Sequence, residues 1–463
     1  MTNSRAESSN PAGSADTGVA RTLIKNGTIV TLDSDIGELQ SADLLIEGGQ
    51  IAKIEHEIDA PNAYRIDASD MIVMPGFVDT HIHLWETGVR GIAGDWTLLE
   101  YLDKMLGNLA SHYTPEDIYL GNLVGAYEQL NGGATSILDW SHALNTPTHA
   151  DRAVDALVDS GIRAIFAHGP PGSDFEAWWY DSTKLHPAED AQRLRADRLA
   201  DDDARVTMGL AVRGPEFTTM EVTEHDIGLG RELDIPVSLH VGVSEPDGIR
   251  ELADVGLLGP DLNFTHATRQ TKEEFQLLAE HGGSVSVTPE VEMQMGHGIP
   301  ATGDVLDVGM RPSLGIDVVP NISGEMFTQM RVALQSQRAL DNDEKIQRGD
   351  AVDSLTISAR DALEFATIDG ARALGLEDSV GTLTPGKQAD IVLLQTDELT
   401  VSPVHSPIET IVFQASVRNV DTVFVGGTMV KREGTLVFSD VEQKRQQLFR
   451  SGRRLLEESG LIE

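Results

Sequence analysis

The 463-residue chain contains no cysteine, which excludes disulfides, thiolate metal sites and a cysteine nucleophile together. Any bound metal must therefore be held by histidine and carboxylate side chains. The chain also lacks an apolar run of about 18 residues, the length a helix needs to cross a bilayer. No basic stretch followed by an apolar one opens the N-terminus, so no secretory signal is read there and a soluble, cytoplasmic protein is expected. Basic residues are scarce: 35 Lys and Arg stand against 74 Asp and Glu, a formal net charge of −39. A surface of that sign repels polyanions and argues against nucleic acid or an anionic membrane as a partner. What remains, with 40% hydrophobic residues and 44 glycines, fits a globular α/β protein large enough for a barrel-type domain and a smaller one.

Residues 1–20 are rich in Ser, Ala, Gly and Asn without periodicity and read as a disordered tail. Short alternating runs separated by glycine turns follow, such as Leu23-Ile24-Lys25-Asn26-Gly27-Thr28-Ile29-Val30. The same texture returns at Ala389–Leu394 and Val420–Gly427. Residues 21–75 and 376–435 are therefore expected to build one composite β-sandwich, with residues 76–375 inserted into it. That insert alternates apolar strands with helix-length segments. Eight strands are expected, over residues 76–83, 135–140, 163–168, 206–213, 236–241, 263–266, 284–288 and 312–318. Such a count suits a (β/α)8 TIM barrel better than an open sheet. Residues 436–463 are expected to form a C-terminal helix packed on the surface or on a neighbouring subunit.

In a TIM barrel the chemistry sits where the strands end. His81 and His83 occupy one face of the first strand, because side chains of a strand alternate with a period of two. His240 closes the fifth strand, His266 the sixth and Asp317 the eighth. Central parallel strands should be almost continuously apolar, so each polar end asks for a reason. A satisfied buried histidine or a capping aspartate would explain any one of them; a metal explains all of them at once. Trp85, His142, His168, Arg213, Glu245 and His297 are candidates for the substrate pocket, since each follows or ends a strand. Asp139 divides evenly between a pocket wall and a hydrogen-bonded loop. Trp96, Trp178, Trp179 and Tyr180 could supply an apolar wall, although such residues are more often core.

The segments Pro75-Gly76-Phe77-Val78-Asp79-Thr80-His81-Ile82-His83, Leu239-His240, Thr265-His266 and Leu314-Gly315-Ile316-Asp317 resemble the amidohydrolase superfamily, in its branch of chlorotriazine hydrolases and cytosine, guanine and adenosine-type deaminases. Gly324–Arg331, Gly370–Leu376 and Gly381–Asp390 add to the likeness. The resemblance implies a barrel with a composite β-sandwich, a small-molecule substrate and a homodimer or homotetramer. It also implies one divalent metal ion per chain, Zn, Co, Mn or Fe. His81, His83, His240 and Asp317 would be the ligands, Asp317 would also carry the proton, and His266 would hydrogen-bond the attacking water or the substrate oxygen. Members with two metals usually carry a lysine at the end of the fourth strand. Gly209-Leu210-Ala211-Val212-Arg213-Gly214-Pro215 has none, which favours a mononuclear site.

One departure bears on the reaction. Deaminases of this branch usually place a glutamate three residues after the fifth-strand histidine, to shuttle a proton to a ring nitrogen. Here that position is Val243, and Glu245 would reach the site only through a bulged loop. Cleavage of an amide, carbamate or thiocarbamate needs less protonation, so hydrolysis of an amide-like C–N or thiocarbamate C–S bond is the leading expectation. Among members without that glutamate the chain is most similar to the molinate (thiocarbamate) hydrolases. Deamination or dechlorination with Glu245 as shuttle is the alternative, and a non-catalytic assembly protein a third reading.

Overall fold

The computed structural model describes residues 21–180, 182–243 and 247–462; the expected disordered tail and Glu245 lie outside them. Two sheets organise these residues, one of nine strands and one of eight. In the first, Arg21–Val30 pairs antiparallel with Glu38–Glu47 and parallel with Met71–Pro75. The strand Ile391–Gln395 then pairs antiparallel with Met71–Pro75, which joins the two ends of the chain in one mixed sheet. Ile24, Ile29, Leu44, Val73, Leu393 and Phe424 bury one face of it in a core of its own.

The second sheet runs in sequence order through Phe77–Ile82, Ala134–Ser141, Arg163–His168, Val206–Val212, Val237–Val241, Leu262–His266, Ser284–Val287 and Ser313–Leu314. All its ladders are parallel. A bridge from Ile82 to Asp317 closes it into the expected barrel. The eighth strand is shorter than expected, two residues instead of the span 312–318. Its course changes because the chain must pass against the first strand. A Cβ on Gly315 would lie 2.9 Å from both the Cβ and the carbonyl oxygen of His81, so only glycine fits there. Asp317 follows with φ 77°.

Local chemistry sets the outer helices. Pro115–Gly132 starts with a capping box between Thr114 and Asp117, has proline in its first turn, and ends on Gly133 at φ 90°. The Gly132-Gly133 pair is thus a helix stop ahead of the second barrel strand. A second capping box, Thr271 with Glu274, opens Lys272–His281.

The barrel interior is less apolar than parallel strands usually are. Ser286 Oγ lies 2.8 Å from Thr80 Oγ1 and 3.1 Å from Asn263 Oδ1, and Thr80 Oγ1 lies 3.0 Å from Ser313 Oγ. These small polar side chains satisfy one another, so their burial carries little penalty. The C-terminal helix spans Val441–Glu458; the residues before it include a short edge strand, Thr435–Leu436, that completes the nine-stranded sheet. Gly452 lets this helix pass directly over the backbone of Gly88, beside the turn that follows the first barrel strand. Among the described residues no helix is long and apolar enough to cross a membrane.

Candidate metal centre

The first, fifth, sixth and eighth strands deliver His81, His83, His240, His266 and Asp317 to the C-terminal end of the barrel, in two triads that share His81: His81 with His83 and Asp317, and His81 with His240 and His266. His81 Nε2 lies 3.2 Å from His83 Nε2 and 3.2 Å from His240 Nε2. Asp317 Oδ1 lies 3.4 Å from His81 Nε2 and 3.2 Å from His83 Nε2. Ligands bound at ~2.0–2.1 Å in a tetrahedron stand about 3.3 Å apart, so these four separations match four edges of such a site. His266 stands slightly off, with Nε2 3.8 Å from Asp317 Oδ2. Its Nδ1 lies 2.9 Å from Thr288 Oγ1 and 3.4 Å from Glu292 Oε1.

The second nitrogens of the rings support the same reading. His83 Nδ1 must donate to the carbonyl oxygen of Trp140 at 2.7 Å, which turns an Nε2 lone pair toward the centre. His81 Nδ1 lies 3.2 Å from Thr265 Oγ1. Burial pushes His81 down to about 3 and His240 well below the ordinary histidine value, so both rings are neutral, the form that ligates. For Asp317, burial favours the acid, but the close approach of the His81 and His83 rings overrides it and holds the carboxyl well below the usual range. Burial likewise opposes charge on His83, and Asp317 more than compensates. The donor set is thus three imidazoles and an ionised carboxylate with converging lone pairs. It fits a borderline divalent cation.

A cavity of about 440 Å³, including its open mouth, covers the cluster. One wall comes from the segment 98–106, which contributes Leu98, Tyr101, Leu102 and Leu106. Trp179, Phe217, Val243, Met295 and Val318 complete an apolar lining, and His142 and His297 add polar edges. Apart from Asp317 and the histidines, no ionisable cation or carboxylate lines it among the described residues.

Of the expected pocket residues, His142 and His297 face this space. Trp85, His168 and Arg213 need correction. Trp85 is fully buried behind the wall, where its Nε1 donates to His142 Nδ1 at 2.7 Å. His168 turns away toward the surrounding helices and binds His186 and Asp190. Arg213 also points outward, donating to the carbonyls of Trp178 and Lys184 and pairing with Asp226, and so pins the loop that carries Trp179. Glu245 is outside the described residues, and Val243 stands in the lining at the position of the usual glutamate. Asp139 is structural: it accepts from the Leu84 N–H and from Asn122. Tyr180 is exposed and Trp178 lies under Arg213.

Sequence reasoning missed the 98–106 wall, Phe217 and Met295, whose apolar spacing looks like ordinary core. It also missed Glu86, which is fully buried, takes a hydrogen bond from the Tyr101 hydroxyl at 2.5 Å, and is pushed up to about 8 by burial.

A parallel barrel with imidazoles and an aspartate gathered at its strand ends defines the class of metal-dependent barrel hydrolases. Residues 72–430 match the amidohydrolase family, and the chain belongs to it. It is 28% identical over 449 residues to a 5-methylthioadenosine/S-adenosylhomocysteine deaminase of Carboxydothermus hydrogenoformans, covering 94% of this chain and 98% of that one. It is 29% identical over 419 residues to a 5'-deoxyadenosine deaminase of Methanothermobacter thermautotrophicus, covering 87% and 92%. Its fold is similar to that of atrazine chlorohydrolase from Arthrobacter aurescens TC1 complexed with zinc, at a TM-score of 0.82, 23% identity and coverage of 93% and 100%. These comparisons align the chain with deaminases and lend nothing to a thiocarbamate-specific assignment.

Proposed function

We propose that the protein is a mononuclear metal-dependent hydrolase that removes the amino group of a neutral aminoheterocycle carrying an apolar substituent. The observation that carries this reading is the cavity: among the described residues one acid-base carboxylate, Asp317, faces a largely apolar space lined otherwise by neutral side chains and histidines. Likeness to adenine-nucleoside deaminases over nearly the whole chain supplies the reaction class. His81, His83, His240 and Asp317 would hold the ion, which supplies Lewis acidity and lowers the pKa of water. Asp317 accepts the proton of the attacking water and passes it on to the departing amine. His266, braced by Thr288 and Glu292, orients the water or the oxygen it becomes. Water adds to the ring carbon, the C–NH2 bond breaks as ammonia leaves, and the second water proton stays on the added oxygen; once the product is released, that proton moves to the adjacent ring nitrogen as the hydroxyl tautomerises to the oxo form.

One observation favours a second reading. Val243 cannot protonate a ring, so cleavage of an acyl C–N or thiocarbamate C–S bond, which asks for less protonation, fits the same lining. An ammonia-release assay of the metal-loaded enzyme separates the two. 5'-Methylthioadenosine and 5'-deoxyadenosine should release ammonia, and zwitterionic S-adenosylhomocysteine should be a poorer substrate because the described residues of the lining offer its charges no partner beyond the metal cluster. Silence on every aminoheterocycle together with turnover of simple amides would replace the first reading with the second.

A further inference from the structure

Outside the metal-ligand cluster, His142 is a polar side chain of the cavity whose hydrogen-bonding direction is fixed from behind. Trp85 Nε1 can only donate, and it does so to His142 Nδ1 at 2.7 Å. A neutral imidazole that accepts at Nδ1 carries its proton on Nε2. The ring is held in place by stacking on His83, with centroids 4.4 Å apart and planes at 10°, and by edge contacts to Trp140 at 5.1 Å and Trp179 at 5.9 Å. His142 lines the cavity, and its one hydrogen bond to another described side chain is that with Trp85. His297, on the same cavity, has no such brace: both its ring nitrogens are buried without a partner among the described residues.

We infer that His142 is a substrate-contacting donor whose Nε2–H, fixed by Trp85, hydrogen-bonds the acceptor atom beside the reacting carbon, the position Val243 cannot serve. On the aminoheterocycle reading, on which the inference rests, that acceptor is a ring nitrogen. A neutral imidazole can polarise an acceptor without giving up its proton, as it does in enzymes where a histidine serves as the electrophile. The Trp85 N–H occupies Nδ1 as an acceptor, which leaves Nε2 as the nitrogen that carries the donor. No proton leaves His142; it stabilises negative charge building on the ring nitrogen as water adds. The substrate class narrows accordingly, to neutral heterocycles with a lone-pair nitrogen next to the amino-bearing carbon.

The test uses the full-length, metal-loaded enzyme with 5'-deoxyadenosine. His142→Phe keeps an aromatic ring against His83 but removes the N–H. It should lower kcat about 10²–10³-fold, the loss typical of one transition-state donor, with metal content unchanged. His142→Gln, which restores an N–H, should recover part of that loss, and Trp85→Phe should lower kcat less, by freeing the tautomer. In protein labelled with ¹⁵N-histidine, the His142 proton should sit on Nε2 and its resonance should move when 5'-deoxyadenosine is added. Unchanged kcat in metal-loaded His142→Phe, or a proton found on Nδ1, overturns the inference. If no aminoheterocycle is turned over by the wild type, the proposed function fails; the inference then fails as well if 5'-deoxyadenosine leaves the Nε2–H resonance in place, and stands if it moves it.

Discussion

Two buried histidine-carboxylate clusters end barrel strands in this molecule, and they differ in how their lone pairs are arranged. At the first, three Nε2 atoms and an Asp317 oxygen point at a common centre, and adjacent nitrogens stand 3.2 Å apart with no proton to share between them. At the second, the groups form a line: His186 Nε2 lies 2.9 Å from His168 Nδ1, His168 Nε2 lies 3.1 Å from Asp190, and Arg193 lies 2.8 Å from Asp190. Each donor in the line has its own acceptor. Convergence leaves charge to be supplied from outside; linear pairing leaves only the outer nitrogen of the line, His186 Nδ1, without a partner among the described residues. The histidines are buried in both, whereas Asp190 and Arg193 reach partly into solvent, and the direction of the lone pairs separates a candidate metal centre from a structural brace.

Removing one member of each cluster should expose the contrast most strongly. His240→Ala, or chelation of the wild type, should take turnover to background and metal content well below one ion per chain, measured by elemental analysis. His186→Phe should leave metal content unchanged. A variant at His186 that lost the ion as readily as His240→Ala would erase the distinction. Next in size, Asp317→Asn should keep the fold and lower kcat by about 10²–10⁴, the range for a group that moves protons in the transition state. Retention of full rate there would remove Asp317 from the chemistry.

The two regions should also respond oppositely to pH. Glu86, behind the first cluster, has no cationic partner of its own and is raised by burial to about 8. Its contribution to stability is complete below the unfolded value near 4.5 and is lost as pH rises toward 8. In metal-stripped protein, Glu86→Gln should flatten that decline, by a few kcal/mol at about 1.4 kcal/mol per pH unit. For Asp190, burial alone would raise the carboxyl, but His168 and Arg193 draw it below its ordinary value. That contribution is present above pH 3.8 and fades as pH falls below it, so Asp190→Asn should flatten only the acid limb of a melting curve. Equal slopes in the two variants would contradict the assignment. Smallest of all, His186→Phe should cost about 1–3 kcal/mol in denaturant titrations, from leaving His168 Nδ1 without its partner.

The barrel and the converging side chains were legible because histidine and aspartate at the ends of apolar strands are chemically out of place. His168 and Arg213 carry the same mark, yet they turn outward into the helix layer. Position at a strand end does not say which way a side chain leaves it. The 98–106 wall was illegible for the opposite reason: leucines at helical spacing look alike whether they cover a core or a substrate. Tyr101 and Glu86 became meaningful together only once folding brought the hydroxyl and the carboxyl within a hydrogen bond. The short eighth strand was overrun because its apolar sequence continues past the point where Gly315 must clear His81.

That seam has a consequence for how the protein acquires its ion. His81 and His83 belong to the first barrel strand and Asp317 to the last, and the backbone there is stitched by His83 N–H to Asp317 O at 2.9 Å and Asp317 N–H to His81 O at 2.8 Å. A growing chain therefore has no complete coordination sphere until nearly the whole barrel has been synthesised and has closed, the most non-local pairing in the domain. Once in place, the ion would act as a rivet across the joint, so that losing it and opening the barrel at that joint become a single event.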